Sequence, residues 1–367
     1  MKKSFLYLFT VLCTLSFFTA CSDDDDPKDP NVLDVNAAYS GEKLDLKYGD
    51  SALLGKEITF DTKDGKTATI SMKGLFNMGD ITGKSTVVPP MAPGVIPGEV
   101  TTTLSGVALT LSGETYTFEG EYTGTAGVKA TYTGSVQKDK LTMSVKATMP
   151  ANDLVGTWNL APVMPITGGF SMPIVLSWES STPIKIDGTI LGMPPGEVSR
   201  PVNTVLQGLN ISVISPKLAG VLQSITYQED GNIVASYKKA GASDWATSPI
   251  NLAQYYIANG KMYVQLNIAQ IMDLVASSKA ENNPLAGLMT YLSAGVPLSY
   301  SVTDGAAQIK AEKELLLPLM GMMTTEPFAS MIAKVVPEQY QGLMAQFPAI
   351  LATTTDVNAT LYLIKQK

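Results

Sequence analysis

The chain has 367 residues, a formal net charge of −7 and no histidine. Missing imidazole excludes Ser-His-Asp and Cys-His nucleophilic catalysis and the common zinc sites. An acidic chain whose only arginine is Arg200 is also unsuited to neutralising nucleic-acid phosphates or gripping an anion with paired forks. Its length predicts two domains.

Lys2 and Lys3 open the chain, and an apolar run follows from Phe5 to Phe18. That run, roughly 14 residues, falls short of the ~20 a spanning helix needs and suits a cleaved leader. Phe18-Thr19-Ala20-Cys21 then puts small residues before a cysteine. The segment resembles the lipobox of bacterial lipoproteins, with Phe18 where leucine is usual. The resemblance implies cleavage after residue 20 and lipidation of Cys21. Ser22-Asp23-Asp24-Asp25-Asp26 follows. Four adjacent carboxylates repel one another and read as a solvated tether, here residues 21–32. Together with Ser22 they resemble the signal that sends lipoproteins of Bacteroidota to the cell surface; a plain periplasmic spacer is the alternative. The expected address is therefore the outer membrane, held by lipid and facing outward. Cys13 would leave with the leader and Cys21 would carry lipid, so no disulfide or thiolate site is expected.

Residues 33–149 read as an all-β domain. Leu44–Tyr48 alternates, and Glu57–Phe60 and Thr67–Met72 flank a turn at Lys63-Asp64-Gly65-Lys66. Tyr116–Tyr122 and Leu141–Val145 alternate again, while Pro89, Pro90, Pro93 and Pro97 mark a stiff loop. A sandwich or an up-and-down barrel is predicted.

The pattern restarts for residues 151–367. Gly156-Thr157-Trp158 resembles the Gly-x-Trp opening strand of lipocalin-like barrels, which implies that Trp158 plugs one barrel end. Strands are predicted at 174–178, 184–190, 209–213, 224–227 and 233–238, and at 255–257 and 262–266 around Asn259-Gly260. Ile96-Pro97-Gly98-Glu99-Val100 echoes Pro194-Pro195-Gly196-Glu197-Val198, which suggests a duplicated β-domain. Helices are predicted at 268–275, 285–292, 314–323, 328–336 and 338–351, strands at 298–302 and 308–312, and a closing strand at 357–364. The expected fold is thus mainly β, α+β in its C-terminal half. Two tandem antiparallel barrel or sandwich domains are expected, lipocalin-like, the second with inserted helices.

The apolar helices read first as core, with methionine filling gaps. The sharper reading is a pocket or lid for an apolar ligand, with Met320 and Met323 as contacts. Trp245, in a loop-like setting, reads as folded back on its domain; were it exposed it could stack on a sugar. Leader, acidic run and β-rich build together resemble surface lipoproteins of gut Bacteroidota of unknown function, some of them lipocalin- or calycin-like. That resemblance implies no catalytic residue, and by analogy raises glycan binding. A non-enzymatic binding or structural module is expected, taking an apolar small molecule or a glycan. No cofactor, metal or nucleic-acid partner is expected, and a partner outer-membrane transporter stays open. The alternative is a glycan-processing hydrolase using paired carboxylates.

Overall fold

The computed structural model describes residues 32–75, 92–167, 169–239, 241–271, 295–323, 342 and 345–366. Cys21, Ser22 and Asp23 to Asp26 lie outside them, as do Pro89, Pro90 and the predicted helices at 285–292 and 328–336. Of the helix predicted at 268–275, residues 268–271 are described and are helical.

Ten strands fill the first part of the chain: β1 (Ala37–Ser40), β2 (Leu44–Tyr48), β3 (Ser51–Ala52), β4 (Lys56–Asp61), β5 (Thr67–Gly74), β6 (Thr101–Ala108), β7 (Thr110–Ser112), β8 (Thr115–Thr123), β9 (Lys129–Gln137) and β10 (Lys140–Thr148). They form a four-stranded sheet ordered β1-β4-β5-β6 and a six-stranded sheet ordered β3-β2-β10-β9-β8-β7. Period-two burial runs along most of them; in β10, Leu141, Met143, Val145 and Ala147 are buried and Lys140, Thr142, Lys146 and Thr148 are exposed. The two apolar faces meet in one core, where Phe60 of β4 packs 5.9 Å from Phe118 of β8. This is a β-sandwich with one parallel pairing, β2 on β10. The turn between β4 and β5 is made by Asp64, whose carboxylate accepts from the Lys66 and Thr67 amides.

The second part begins with β11 (Gly156–Leu160), β12 (Met164–Ile166), β13 (Gly169–Ser171), β14 (Ile174–Ser180), β15 (Ile184–Asp187) and β16 (Glu197–Arg200). Helices α1 (Val202–Leu209) and α2 (Ser215–Val221) follow, joined by a π-helical turn. Then come β17 (Leu222–Tyr227), β18 (Asn232–Tyr237), β19 (Ala246–Thr247), β20 (Ala253–Ala258), β21 (Lys261–Leu266), β22 (Val296–Thr303), β23 (Ala306–Ala311), α3 (Lys313–Met323), α4 (Phe347–Ala352) and β24 (Thr354–Lys365).

Eight of these strands close an antiparallel barrel: β11-β17-β18-β20-β21-β22-β23-β24, with β24 returning to β11. Closure pairs each of these eight strands on both sides, leaving β14 and β19 as the edges of the sheet. One end, the base, carries short turns. Asn259-Gly260 and Asp304-Gly305 there have positive φ at both residues, the requirement of a two-residue hairpin. The long connections leave from the other end, the mouth. The lower half of β24 pairs with β11, and its upper half pairs with β14. Against β14 and upper β24 pack α1, α3 and α4, in a separate core around Trp178, Val205, Ile350 and Val357.

Three expectations are corrected. Residues 209–213, expected as a strand, belong to the α1–π-turn–α2 helical run. Val202, Val205, Leu206 and Leu209 recur at helical spacing, and all four pack into the Trp178 core. The strand expected over 184–190 stops at Asp187, whose carboxylate takes the Thr189 amide and hydroxyl and turns the chain into a 3-10 turn. The sequence echo does not extend to the fold. Leu104–Val107 lies in strand β6, whereas Leu206–Leu209 lies in α1, and a sandwich precedes a barrel rather than a second copy of itself.

Sandwich and barrel are joined by buried contacts. Tyr256 and Tyr263, on the outer face of β20 and β21, stack at 4.9 Å and join the sandwich core. The Asn251 amide donates to the carbonyls of Tyr48, Ser51 and Ala52, and the Tyr48 hydroxyl donates to the Asp230 carbonyl at 2.6 Å. Burial pushes the Tyr48 phenol well above its ordinary range.

Candidate functional site: the barrel interior

Alternation along the barrel strands decides which side chains face inward, and cross-strand partners share a face. At the base, the inward set begins with Trp158, which is fully buried. Its indole N–H donates to the Leu154 carbonyl at 2.6 Å, and the Lys365 ammonium lies 5.3 Å from the ring centroid. Gly156 holds φ at +126°, and a Cβ there would stand 3.3 Å from the Lys365 side chain. Glycine two residues before the tryptophan thus lets the lysine cover the ring. Tyr227 and Tyr255 meet edge to face at 5.3 Å beside it, and the Tyr255 hydroxyl donates to the Gln228 carbonyl. Burial raises both phenols, with each other's proximity adding to the shift at Tyr227. Met262, Ala307 and Leu363 complete a dry plug.

Toward the mouth the filling changes. Leu160, Ile225, Val264 and Leu361 stand two residues above plug residues on their own strands; they are apolar, inward and only half-buried. Leu298 and Tyr300 of β22 are also inward and half-buried. Ile257 and Val302, beside the base turns, share that exposure. By register Ala235 opposes Ile225, and Ala311 opposes Ala359, so three inward positions near the mouth carry only a methyl group. An eight-stranded barrel encloses just enough space for side chains or for one small ligand. The alanines at these levels and the half-exposed larger residues are the observations that bear on the second case. Lys365 opposes Trp158 at the base; above that level no inward position on the eight strands is charged. Uncharged, half-exposed apolar side chains of this kind would favour an apolar molecule by desolvation.

The residues expected to meet a ligand are placed elsewhere. Met320 lies in α3 and packs on the Trp178 core, not on the barrel interior. Met323 ends the same helix. An apolar pocket lined by Met and Leu of residues 268–351 was the expectation; residues 272–294, 324–341 and 343–344 of that range lie outside the described residues, while Leu298, Tyr300 and Ile309 within it face the barrel interior. Trp245 is 39% exposed next to β19 and lies under the Lys238 ammonium, 4.7 Å from its ring centroid. A cleft of about 450 Å³ on the outer wall gathers Glu312, Glu314 and Asp356. Lys261, Lys310 and Lys313 interleave with these carboxylates, and Lys261 pairs with Glu312 at 3.4 Å. Alternating opposite charge on an outer strand face is the pattern of a solvated ion-pair surface.

Sequence reasoning missed the interior because its residues are Leu, Ile, Val and Ala, the same types that fill any core. The available signal was Gly156 and Trp158, which located the plug. No protein-family model matches this chain, and no match was found among curated proteins or solved structures.

Proposed function

We propose that this chain is a surface-anchored lipoprotein whose barrel binds a small apolar molecule, a fatty acid or similar chain, and that it performs no catalysis. The observation carrying this reading is the barrel interior above the Trp158–Lys365 base, which is uncharged and whose inward apolar side chains stay half-exposed. The anchor rests on Phe18-Thr19-Ala20-Cys21 and the acidic run after it. A lipocalin-like relationship is supported by the Gly156-x-Trp158 plug at the closed base and by the near-sequential strand order of the barrel.

The test is titration of the purified protein with cis-parinaric acid, with native mass spectrometry for a retained ligand. Saturable binding is expected. Val264→Phe and Ala359→Phe, which narrow the interior, are expected to weaken it at least tenfold with the thermal melt retained. Met320→Gln is expected to leave it unchanged. Binding that survives both fillings but falls with Met320→Gln would move the ligand to the helices. The anchor is tested separately, by labelling cells with radioactive palmitate: label is expected in the wild type and not in Cys21→Ala.

A further inference from the structure

The stretch from Leu154 to Trp178 contains no charged residue. Its middle is the β12–β13 hairpin, a two-stranded sheet that, among the described residues, pairs with no other strand. The hairpin leaves the barrel wall where β11 ends and returns where β14 begins. Ala161 and Pro173 both bond to Tyr362 of β24, so the hairpin is an excursion between two strands lying end to end on one neighbour. Met164, Ile166 and Phe170 on it are each about half exposed, at 48%, 53% and 47%. Both strands of this finger are therefore apolar and unburied, which a soluble surface rarely tolerates without a partner.

The exposure continues along the rim. Asn159 of β11 pairs with Ser224 of β17, and Val221, just before β17, accepts from the Lys238 amide. Tyr237 in turn pairs with Ala246, next to Trp245. The upper ends of β11, β17, β18 and β19 are consecutive, and at them stand the hairpin, Val221 at 50% exposure and Trp245. Lys217, Lys238 and Lys239 border this run, with Asp244 as its carboxylate. Carboxylates outnumber cations 33 to 26 in the whole chain, so a lysine-fringed apolar rim runs against the overall charge.

We infer that this rim is a membrane-docking surface: the β12–β13 hairpin inserts into the acyl boundary of a lipid leaflet, while Trp245 and the lysines sit at the headgroups. An apolar wedge, an interfacial tryptophan and snorkelling lysines are the groups that a lipid interface rewards, and the lysines suit anionic lipid. The inference stands whether or not the barrel holds a ligand. It supplies a second membrane contact beside the proposed anchor at Cys21 and fixes how the barrel faces the bilayer.

The experiment uses tryptophan quenching in the full chain by vesicles of dibromostearoyl phosphatidylcholine mixed with phosphatidylglycerol. Leader or lipid alone can bring the chain to a vesicle, so the readout is quenching of the emission that Trp245→Phe removes. Trp158 and Trp178 are buried and serve as internal reference. Quenching of the Trp245 component is expected, with loss in Ile166→Asp and in Phe170→Asp while the thermal melt stays unchanged. An unquenched Trp245, or quenching that survives both aspartates, overturns the inference. Quenching that persists in Trp245→Phe assigns the lipid to the barrel interior and overturns it too. A dimer in sedimentation that Ile166→Asp dissolves, without quenching, gives the rim to a second copy of the chain.

Discussion

Trp158 and Lys56 show how single residues set the energetics of the two halves. Replacing Trp158 with alanine opens a cavity at the barrel base, for which about 3–5 kcal/mol is expected. Gly156→Ala keeps the tryptophan but forces a side chain onto φ of +126°, close to Lys365; a loss of about 1–3 kcal/mol is expected. Urea unfolding measures both. Lys56 is buried in the sandwich with its amine donating to the Pro93 carbonyl at 2.6 Å, and burial lowers its pKa to about 7. Between that value and the ordinary 10.5, the unfolded chain holds a proton that the folded chain lacks. Stability is therefore expected to rise with pH across this window, by about 1.4 kcal/mol per unit for one proton. The raised phenols of Tyr48 and Tyr227 work in the opposite sense, and their contribution is lost as pH rises above about 10. Unfolding curves from pH 6 to 10 check this: Lys56→Met is expected to flatten the rise below pH 10.

At the scale of elements, β24 carries two assignments at once. Its lower half closes the barrel beside β11 and its upper half holds β14, on which the helices pack. The link before β20 carries the clasp to the sandwich. Asn251 there has φ of +65° and donates to three carbonyls of the β2–β3 region. Asn251→Ala loses the clasp and meets the backbone strain, whereas Asn251→Gly loses only the clasp. Both are expected to destabilise by about 1–3 kcal/mol, alanine more than glycine. Equal losses in chemical denaturation would show that the hydrogen bonds alone matter.

Across the whole molecule, sandwich and barrel share a core boundary. Tyr256 and Tyr263 belong to barrel strands yet pack among Tyr48, Leu53 and other sandwich residues. Such coupling predicts one calorimetric unfolding transition for residues of both halves, and splitting into two in a Tyr48→Phe, Asn251→Gly double variant. Two separate transitions in the wild type would show that the buried contacts do not couple them. The same arrangement fixes the barrel's orientation. Its β20–β21 wall is covered by the sandwich, while no element of the described residues covers the wall of β11 and β17, with the hairpin beside it.

Much of the strand pattern was legible in the sequence because a strand with one buried face alternates, as β10 and β4 do, and because Asn259-Gly260 has one favoured turn. The absence of histidine excluded imidazole chemistry from the sequence alone, since no fold can supply a missing side chain. Residues 209–213 of the helical run were misread as a strand because Leu209, Ile211 and Val213 also alternate; only packing on the Trp178 core selects the helical period. Which apolar residues fill a core and which line a space could not be read from residue type. Leu363 and Leu361 differ by two positions on one strand, yet one is sealed in the plug and the other is half-open. That difference comes from barrel closure and cross-strand register, which bring Ala235, Ala311 and Ala359 from distant parts of the chain to one end of the interior. Closure is a long-range property of eight strands taken together, so the tertiary structure decided it.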